Sequence, residues 1–452
     1  MREAVDWVVA ALSGTAAPDD VAARLAARLV ARGDIAAVLA GNRRFAAFRE
    51  HPAAVENVEP RRPWSVRAVV RTGPQLWELD VTVEAESPHR ISSFQPRLVA
   101  ADAVEWAQIA AALRESDHWQ SALGDRLTER VCERLIGAVD EQRIVGLAAG
   151  VAVDGEVVFR GYFGTSDFAS GAPLSAQSVF RVGSVTKVVT ALAVLRLVET
   201  GAVDLQAPVS QYLGAPELIS PNEATATVGD LLLHRAGLPK DLAVRPDLLR
   251  TRAPLAEAVP HIRLAWPPGE RCEYSNIGYG LLAGVIESAA GMTFARFCAD
   301  EIVARYGLTN TAVQEPGMLA PADVRGYRVA AGRVAPAVTA VAPLPSAGGM
   351  TASSEDLLAL AGRLSRADDS LIRAALAYTA PAGPGVHFGA GLAILQTGEG
   401  QVAWRGGATD GFTAEMLAAL DGSCDIVLLA SKSPPDGLRD VATRLMRDLR
   451  EP

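Results

Sequence analysis

Residues 180–201 read FRVGSVTKVVTALAVLRLVETG, and they join a serine, a lysine and a long apolar run. Ser184 and Lys187 are three residues apart, so a helix would carry both side chains on one face. Gly183 permits a tight entry into that helix. The following VVTALAVLRLV is apolar almost all round, which predicts a helix buried in the centre of a domain.

Lysine is rare in this chain and occurs only as Lys187, Lys240 and Lys432, whereas arginine supplies almost all the other cations. Lysine can lose its proton and act as a base, which arginine cannot do. Burial in an apolar helix would lower the pKa of Lys187, and a helix N-terminus favours developing negative charge on Ser184. The pair is therefore a candidate nucleophile and base, although an ordinary N-cap and a surface lysine have the same spacing.

The composition limits the class of protein. The chain has 452 residues, 49% of them hydrophobic, and a formal net charge of −9. That length predicts two or three domains, and the absence of a basic tract argues against nucleic acid as a partner. The apolar run at 188–198 is interrupted by Arg196 and is too short to span a bilayer.

The N-terminal sequence and the spacing of the cysteines suggest a cellular compartment for the protein. MREAVDWVVAALSG has no basic stretch before a long apolar core, so it predicts an amphipathic helix and not a secretory signal. Cys132, Cys272, Cys298 and Cys424 are far apart and form no CxxC pair, which favours structural thiols in a reducing compartment. We therefore expect a soluble cytoplasmic protein that does not bind a membrane.

Residues 1–115 predict a small α+β module. Helical patterns cover 5–12, 20–32 and 34–48, and strand patterns follow at 64–73, 76–85 and 90–99. This order of elements resembles NTF2-like or cystatin-like modules. With no cluster of acids, histidines or cysteines in it, a structural or dimerising role is expected, which makes a homodimer through this module possible.

Residues 116–452 predict a second domain, entered through a helical connector at 103–139. The stretch 144–164 predicts a hairpin, because two apolar runs flank Asp154-Gly155. Further strand patterns come late in the chain, before a last helix at 437–450. Strands at both ends with helices between them predict one sheet built from distant segments, together with a helical lobe.

Two later stretches carry further candidate residues. PPGERCEYSNIGYG places Tyr274 and Asn276 at the start of a helix, where a tyrosine can share a proton with a lysine and an amide can hold it. WRGGATDGF follows a strand pattern and begins at Trp404. Its glycines permit close approach of the backbone to a ligand, as an oxyanion hole requires.

The three motifs together resemble the serine β-lactamases and penicillin-recognising enzymes. SxxK, then YxN about ninety residues later, then a glycine-containing segment on a late strand, is the order of that family. TVGDLLLHRAGLP, ARYGLTNTAV and PSAGGMTASSEDLLALA are similar to its class C branch, with family VIII esterases and D-amino-acid peptidases. The resemblance covers about 120–450 and implies a β-lactamase/transpeptidase-like fold: an antiparallel sheet flanked by helices, plus a helical lobe.

The resemblance also implies roles for particular residues. Ser184 would be the acylated nucleophile, and Lys187 and Tyr274 would move its proton. Asn276 would position Lys187 and the substrate. The backbone N–H groups of Ser184 and Ala408 would form the oxyanion hole.

The third motif departs from the family pattern. It reads Arg405-Gly406-Gly407, where relatives usually carry lysine or histidine. Arginine keeps a cation that could bind a substrate carboxylate bidentately, but it cannot give up a proton. Gly407 would permit close contact with substrate, and Trp404 would either line the pocket or pack in the core.

No cofactor or metal is expected, because no group of His, Asp and Cys has the spacing of metal ligands. His234 and His387 are interpreted as structural. The sequence thus predicts a serine hydrolase that acts on a small-molecule ester or amide, with a β-lactam as one candidate substrate, through a Ser184 acyl-enzyme. Two alternatives stay open: an acyltransferase or peptide cyclase using the same intermediate, and a non-catalytic ligand-binding protein of the same fold. Specificity is expected from the loops at 242–261 and 313–345.

Overall fold

The structure is a computed structural model and describes residues 2–13, 46–62, 64–73, 75–85, 90–99, 103–213, 225–238, 264–315, 317–342, 344–398, 400–433 and 437–450. It divides into two compact units. The first comprises 1–108 together with Val329–Ala335, and the second comprises 109–328 and 336–452. The division therefore falls a few residues before the predicted boundary at 115, and the sequence did not indicate the inserted segment.

The helices and strands occur in runs along the chain, with several strands in succession and then several helices. The described helices are α1 (Arg2–Leu12), α2 (Ala46–Glu50), α3 (Trp106–Arg114), α4 (Asp125–Gln142), α5 (Thr186–Glu199), α6 (Ser210–Leu213), α7 (Val228–Leu232), α8 (Asn276–Ala290), α9 (Phe294–Cys298), α10 (Ala304–Tyr306), α11 (Pro345–Gly348), α12 (Ser354–Arg366), α13 (Ser370–Ala377) and α14 (Leu438–Arg450). The described strands are β1 (Ala53–Arg62), β2 (Ser65–Thr72), β3 (Gln75–Val83), β4 (Ile91–Val99), β5 (Val104–Glu105), β6 (His118–Ser121), β7 (Gly146–Val153), β8 (Glu156–Asp167), β9 (Ala172–Pro173), β10 (Phe180–Arg181), β11 (Ala312–Val313), β12 (Tyr327–Ala330), β13 (Arg333–Pro336), β14 (Met350–Ala352), β15 (Thr379–Gly383), β16 (Val386–Gly389), β17 (Ala393–Thr397), β18 (Gly400–Thr409), β19 (Phe412–Ala419) and β20 (Cys424–Ala430).

The first unit contains an antiparallel sheet in the order β1-β2-β3-β4. Side chains of α1, β2 and β3 form its core, in which Trp77 is fully buried and donates to the Thr72 hydroxyl at 3.1 Å. The predicted strands correspond to β2, β3 and β4, whereas the predicted helix at 20–32 and most of that at 34–48 lie outside the described residues. An NTF2-like or cystatin-like identity for this unit stays a prediction.

Strand β1 was missed by the sequence analysis. It contains Pro60 and several charged residues, and its pairing with β2 shifts register between Val55 and Asn57. A shift of this kind breaks the alternation of apolar and polar residues by which strands are recognised. The inserted Val329–Ala335 belongs to this unit because Val334 pairs with Val104 on β5 and the Ala331 N–H donates to Glu78 at 2.9 Å.

The second unit is built around a large antiparallel sheet in the order β15-β16-β17-β18-β19-β20-β7-β8-β6. The predicted hairpin is β7 and β8, and Asp154 and Gly155 have φ of 50° and 82°, as a tight two-residue turn requires. Strand β20 pairs with β7, which joins the end of the chain to its middle. One sheet thus joins strands from distant segments of this unit, with helices between them in the sequence, as the sequence analysis predicted.

Helix α5 runs through the centre of the second unit. Every residue from Thr186 to Leu195 on it is buried, as the apolar sequence predicted. It packs against α8, α11 and α13, which form part of the same hydrophobic core. The predicted helical connector consists of α3 and α4, separated by the short strand β6.

Within the described ranges, no single helix is both long and apolar enough to cross a membrane. Helix α8 and the segment Phe294–Tyr306 meet both requirements only when taken together, and they are bent by 80° at the break between them. The side chains of α8 that are buried in the core of the second unit are Ile277, Tyr279, Leu281, Leu282, Val285 and Ile286.

Candidate active site

Ser184 lies in a single 3₁₀ turn, Gly183–Val185, that leads directly into α5. The Thr186 hydroxyl donates to the Gly183 carbonyl at 2.6 Å and accepts from the Met350 N–H at 3.0 Å, so the turn is fixed from within and from β14. Ser184 remains partly exposed, whereas Lys187 is fully buried. The serine is therefore accessible to a substrate while its partner is shielded from water.

The Lys187 ammonium group reaches three oxygens. Its Nζ is 3.2 Å from the Ser184 hydroxyl, 2.7 Å from Asn276 Oδ1 and 2.7 Å from the Ala347 carbonyl. An ammonium group has three N–H bonds, so each can point at one of these acceptors. Asn276 and Ala347 therefore hold Nζ in place beside the nucleophile.

Tyr274 lies on the other side of the serine. Its hydroxyl is 2.7 Å from Ser184 Oγ, and Lys187 Nζ is 4.9 Å from the centre of its ring. The tyrosine directly precedes Ser275, the N-cap of α8, whose hydroxyl accepts from the Gly278 N–H at 3.2 Å. The cap fixes the start of α8, so Tyr274 and Asn276 are positioned by the same turn.

Arg405 is buried on β18 and binds the protein itself. Its Nε donates to the Ser184 carbonyl at 2.9 Å, and its Nη2 donates to the Tyr274 hydroxyl at 2.7 Å. The guanidinium thus holds the tyrosine against the serine and would stabilise negative charge on the phenolic oxygen. Two of the five N–H bonds of Arg405 are thus used within the protein, and its binding of a substrate carboxylate stays a prediction.

Two glycines let the backbones of Ser184 and Ala408 come together. A Cβ on Gly407 would be 2.0 Å from the Val182 carbonyl oxygen and 2.9 Å from the Ser184 nitrogen. Gly183 has φ +50°, and a Cβ there would be 2.7 Å from the Ala408 nitrogen. The two N–H groups expected to form an oxyanion hole are therefore neighbours, and side chains at these positions would separate them.

His234 contacts this group from behind. Its Nδ1 accepts from the Ser275 N–H at 3.1 Å, and its ring packs against Tyr274 and Tyr279. Burial, and then the charges of Arg405 and Lys187, hold the pKa of His234 well below its ordinary value. A neutral histidine that accepts from the backbone supports the start of α8, which fits the structural role predicted for it.

Trp404 lies apart from this group. Adjacent residues on a strand point to opposite faces, so Trp404 and Arg405 are on different sides of β18. The Trp404 indole donates to Glu415 at 2.7 Å, and the Arg439 guanidinium lies 4.0 Å above its ring. Of the two interpretations of Trp404, packing is the one that its contacts support.

The buried Glu415 beside Trp404 makes stability depend on pH. Burial raises the pKa of Glu415 from its ordinary value to about 7. The protonated Glu415 side chain therefore contributes fully to the free energy of unfolding below its unfolded-state pKa. This contribution is lost as the pH rises through 7. We expect Glu415→Gln to raise the melting temperature at pH 8 relative to wild type, by an amount equivalent to about 2–3 kcal/mol, and to have little effect at pH 4.

Thermal unfolding of both proteins across this pH range checks the expectation. Glu199→Gln is the control, because hydrogen bonds from Ser370 and Arg196 hold the pKa of Glu199 below its ordinary value. An equal melting-temperature difference between Glu415→Gln and wild type at pH 4 and pH 8 would contradict the burial argument.

A cleft of about 330 Å³ opens beside the serine. Its lining comprises Arg181, Ser184, Asn276, Gln314, Thr339, Ala340, Val341, Ala342, Leu344, Ala347, Gly348, Ala408, Thr409 and Asp410. One wall is pinned by the buried Gln314, whose amide donates to the Ala342 carbonyl and accepts from the Ala342 N–H, both at 3.0 Å. This wall lies within the predicted specificity loop 313–345, whereas the other predicted loop, 242–261, lies outside the described residues.

The sequence analysis missed Arg181, Gln314 and the Ala347 carbonyl. Arg181 is three residues before the serine, so proximity along the chain was the available signal. PSAGGM contains Ala347, and was recognised as a family stretch without a role. Gln314 gave no signal, since one amide in a loop is not informative until its partner is known.

Among the residues that the structure describes, no three His, Cys, Asp or Glu side chains are grouped as a metal site. All four cysteines are free thiols, and Cys132, Cys298 and Cys424 are buried. His387 lies on β16, at a position in the sheet that pairs with Ile394.

Curated proteins similar to this chain include an esterase and a β-lactamase. Esterase EstB of Burkholderia gladioli is 33% identical over 184 residues, which are 37% of this chain and 46% of the relative. A β-lactamase of Yersinia enterocolitica is 28% identical over 191 residues, 42% of this chain and 48% of the relative. The chain thus spans about half the length of the curated relatives it matches.

Solved structures show the same fold. The octameric penicillin-binding protein homologue from Pyrococcus abyssi has a TM-score of 0.62 at 22% identity, covering 71% of this chain and 76% of that chain, a likeness of fold alone. SurE has a TM-score of 0.61 at 27% identity, covering 72% and 76%. The model of the Beta-lactamase family matches residues 128–451. The resemblance inferred from the motifs is thereby confirmed, and this chain belongs to the beta-lactamase family.

Proposed function

We propose that this protein is a serine hydrolase that cleaves an ester or amide of a small molecule through an acyl-enzyme on Ser184. The observation that carries the proposal is the position of Ser184 Oγ, 2.7 Å from the Tyr274 hydroxyl and 3.2 Å from Lys187 Nζ. A serine needs such a partner, because its hydroxyl is a weak nucleophile until a base removes the proton.

The first half of the reaction forms the acyl-enzyme. Ser184 Oγ attacks the substrate carbonyl carbon, and its proton passes either to the Tyr274 oxygen in its phenolate form or to Lys187 Nζ in its neutral form. The carbonyl oxygen becomes an oxyanion beside the Ser184 and Ala408 N–H groups. The bond to the leaving alcohol or amine then breaks, and the leaving group takes the proton.

The second half returns the serine. A water molecule gives a proton to the same base and attacks the acyl carbon. The bond to Ser184 Oγ breaks, and the serine recovers its proton as the acid is released. Arg405 stays protonated throughout and acts by holding Tyr274 and the Ser184 carbonyl, so the tyrosine and lysine carry the proton transfers.

The relatives support the class of reaction. One relative is named an esterase and another a β-lactamase, and they are 33% and 28% identical to this chain over the matched parts. Ester and amide cleavage use the same attack on a carbonyl carbon. The breadth of the cleft and its small apolar lining residues fit a small-molecule acyl group.

Hydrolysis of p-nitrophenyl butyrate tests the proposal. Wild type should release p-nitrophenol with saturation kinetics, and Ser184→Ala should lose this activity. The control is Ser170→Ala, which removes an exposed serine from a turn between β8 and β9. Full activity in Ser184→Ala would overturn the proposal, and acyl products with added propylamine or propanol would show transfer instead of hydrolysis.

A further inference from the structure

Arg181 is a cation in the cleft that the catalytic group does not use. It lies on β10, three residues before Ser184, and is half-buried in the cleft lining. Its Nη2 donates to the Ala320 carbonyl at 3.0 Å. Within the described parts of the chain, no carboxylate forms an ion pair with it, so its charge is balanced by one neutral oxygen and by solvent.

The charges nearby do not cancel that of Arg181. Arg405 is a cation too, and its Nε and Nη2 donate to the Ser184 carbonyl and the Tyr274 hydroxyl, neither of which is a carboxylate. The acid in the cleft lining is Asp410, and both of its oxygens accept from the Arg328 guanidinium. An anion that enters the cleft would therefore meet an excess of positive charge.

Arginine is unusual in such a half-buried place. Burial holds the pKa of Arg181 below its ordinary value, because the charged form has lost part of its water. Guanidinium groups that have lost water bind carboxylates strongly, through two parallel N–H bonds. The Ala320 carbonyl accepts from Nη2 alone, which leaves other N–H bonds of the guanidinium for a ligand.

The wall of the cleft adds a second requirement, which is an apolar group in the ligand. Ala340, Val341, Ala342 and Leu344 line it with apolar groups, and Gln314 fixes that wall through its two bonds to Ala342. A ligand that fills the cleft therefore needs an apolar portion as well as an anionic group. Fatty and purely ionic molecules each satisfy only one of these conditions.

We propose that Arg181 selects substrates that carry a carboxylate, so that the ester or amide cleaved at Ser184 belongs to a molecule with an apolar chain and one carboxylate. The inference rests on the proposed function, since it names the substrate class of the same site. Arg405 also lies near the serine, but its Nε and Nη2 are bonded to Ser184 and Tyr274, whereas Arg181 lines the cleft.

Matched pairs of esters test the selection. On the acyl side the pair is mono-p-nitrophenyl adipate and p-nitrophenyl hexanoate, and on the leaving side 4-carboxyphenyl butyrate and 4-carbamoylphenyl butyrate. In at least one of the two pairs, wild type should prefer the ester that carries the carboxylate. In that pair, Arg181→Met should lower the ratio of kcat/KM for the charged ester to kcat/KM for the neutral ester by roughly ten- to a hundredfold. Arg181→Lys should retain part of the preference, and added salt should weaken it.

Two controls separate this effect from general damage. Arg363→Met removes an exposed arginine of α12 that is paired with Asp368, and should leave the ratio unchanged. The neutral esters report whether Arg181→Met still folds and turns over. An unchanged ratio in both pairs, with neutral esters still cleaved, would overturn the inference and leave the proposed function standing.

Binding without chemistry separates the two proposals completely. In Ser184→Ala, titration calorimetry with the adipate and hexanoate esters, and with the two butyrates, measures affinity when acylation cannot occur. The added Arg181→Met change should weaken binding of a carboxylate ester about tenfold or more and leave its neutral partner unaffected. Equal affinities with and without Arg181 would sink the inference, even if wild type proved to cleave neither neutral ester.

Discussion

Replacing Lys187 by methionine is expected to lower kcat/KM for p-nitrophenyl butyrate by roughly a thousandfold, since positioned proton transfer contributes on the order of 10²–10⁴. The methionine keeps the length and the apolar stem of the side chain. What it removes is the group that lies 3.2 Å from Ser184 Oγ and 2.7 Å from Asn276 Oδ1. The measurement is the initial rate of ester hydrolysis over a range of substrate concentrations.

A second substitution at the same position separates charge from proton transfer. Lys187→Arg keeps a cation but cannot act as a base, so it should be nearly as inactive as Lys187→Met. The control is Lys432→Met, because Lys432 is also buried and is placed near Gln142, away from the serine. If Lys187→Met kept more than a tenth of wild-type kcat/KM, the lysine would not be the serine's base.

Adding one methyl group at Gly407 is the other change with a large expected effect. The Cβ of Gly407→Ala would lie 2.0 Å from the Val182 carbonyl oxygen and 2.9 Å from the Ser184 nitrogen, so the backbone must move. That movement separates the N–H groups of Ser184 and Ala408. Loss of one oxyanion donor lowers kcat by on the order of 10²–10³, and we expect Gly407→Ala to fall in this range.

The measurement for Gly407→Ala is kcat on protein whose folding is checked by circular dichroism and thermal unfolding. Gly137→Ala is the matched control, because a Cβ at Gly137 on α4 meets nothing within 4 Å. That control should be neutral or slightly stabilising, with unchanged kcat. A folded Gly407→Ala protein with wild-type kcat would show that the close approach of β18 to the turn that carries Ser184 is not needed for catalysis.

The sequence predicted those parts of the fold that depend on local patterns. The hairpin at Asp154-Gly155 followed from a dipeptide that tolerates positive φ, and α5 followed from an apolar stretch without a polar face. The order of the three motifs predicted the family, which the match over 128–451 confirms. The hairpin and the helix each depend on one short stretch of sequence, and the family depends on three short motifs that lie far apart in the chain.

The sequence could not predict contacts between distant residues of low local signal. Strand β1 was missed because a register shift breaks its alternation, and Val329–Ala335 joins the first unit through partners more than two hundred residues away. The hydrogen bond from Arg405 to Tyr274 joins residues that are 131 positions apart in the chain. Lys187 and Tyr274 came from motif recognition, but their distances to Ser184 needed the folded chain.

The most direct test of the central claim is the intact mass of the protein after reaction with a fluorophosphonate probe, which labels activated serines. The mass of wild type should increase by a single adduct. Ser184→Ala should give none, and Lys187→Met should react much more slowly. An adduct of equal yield on Ser184→Ala, or none on wild type, would contradict the account of Ser184 as an activated nucleophile.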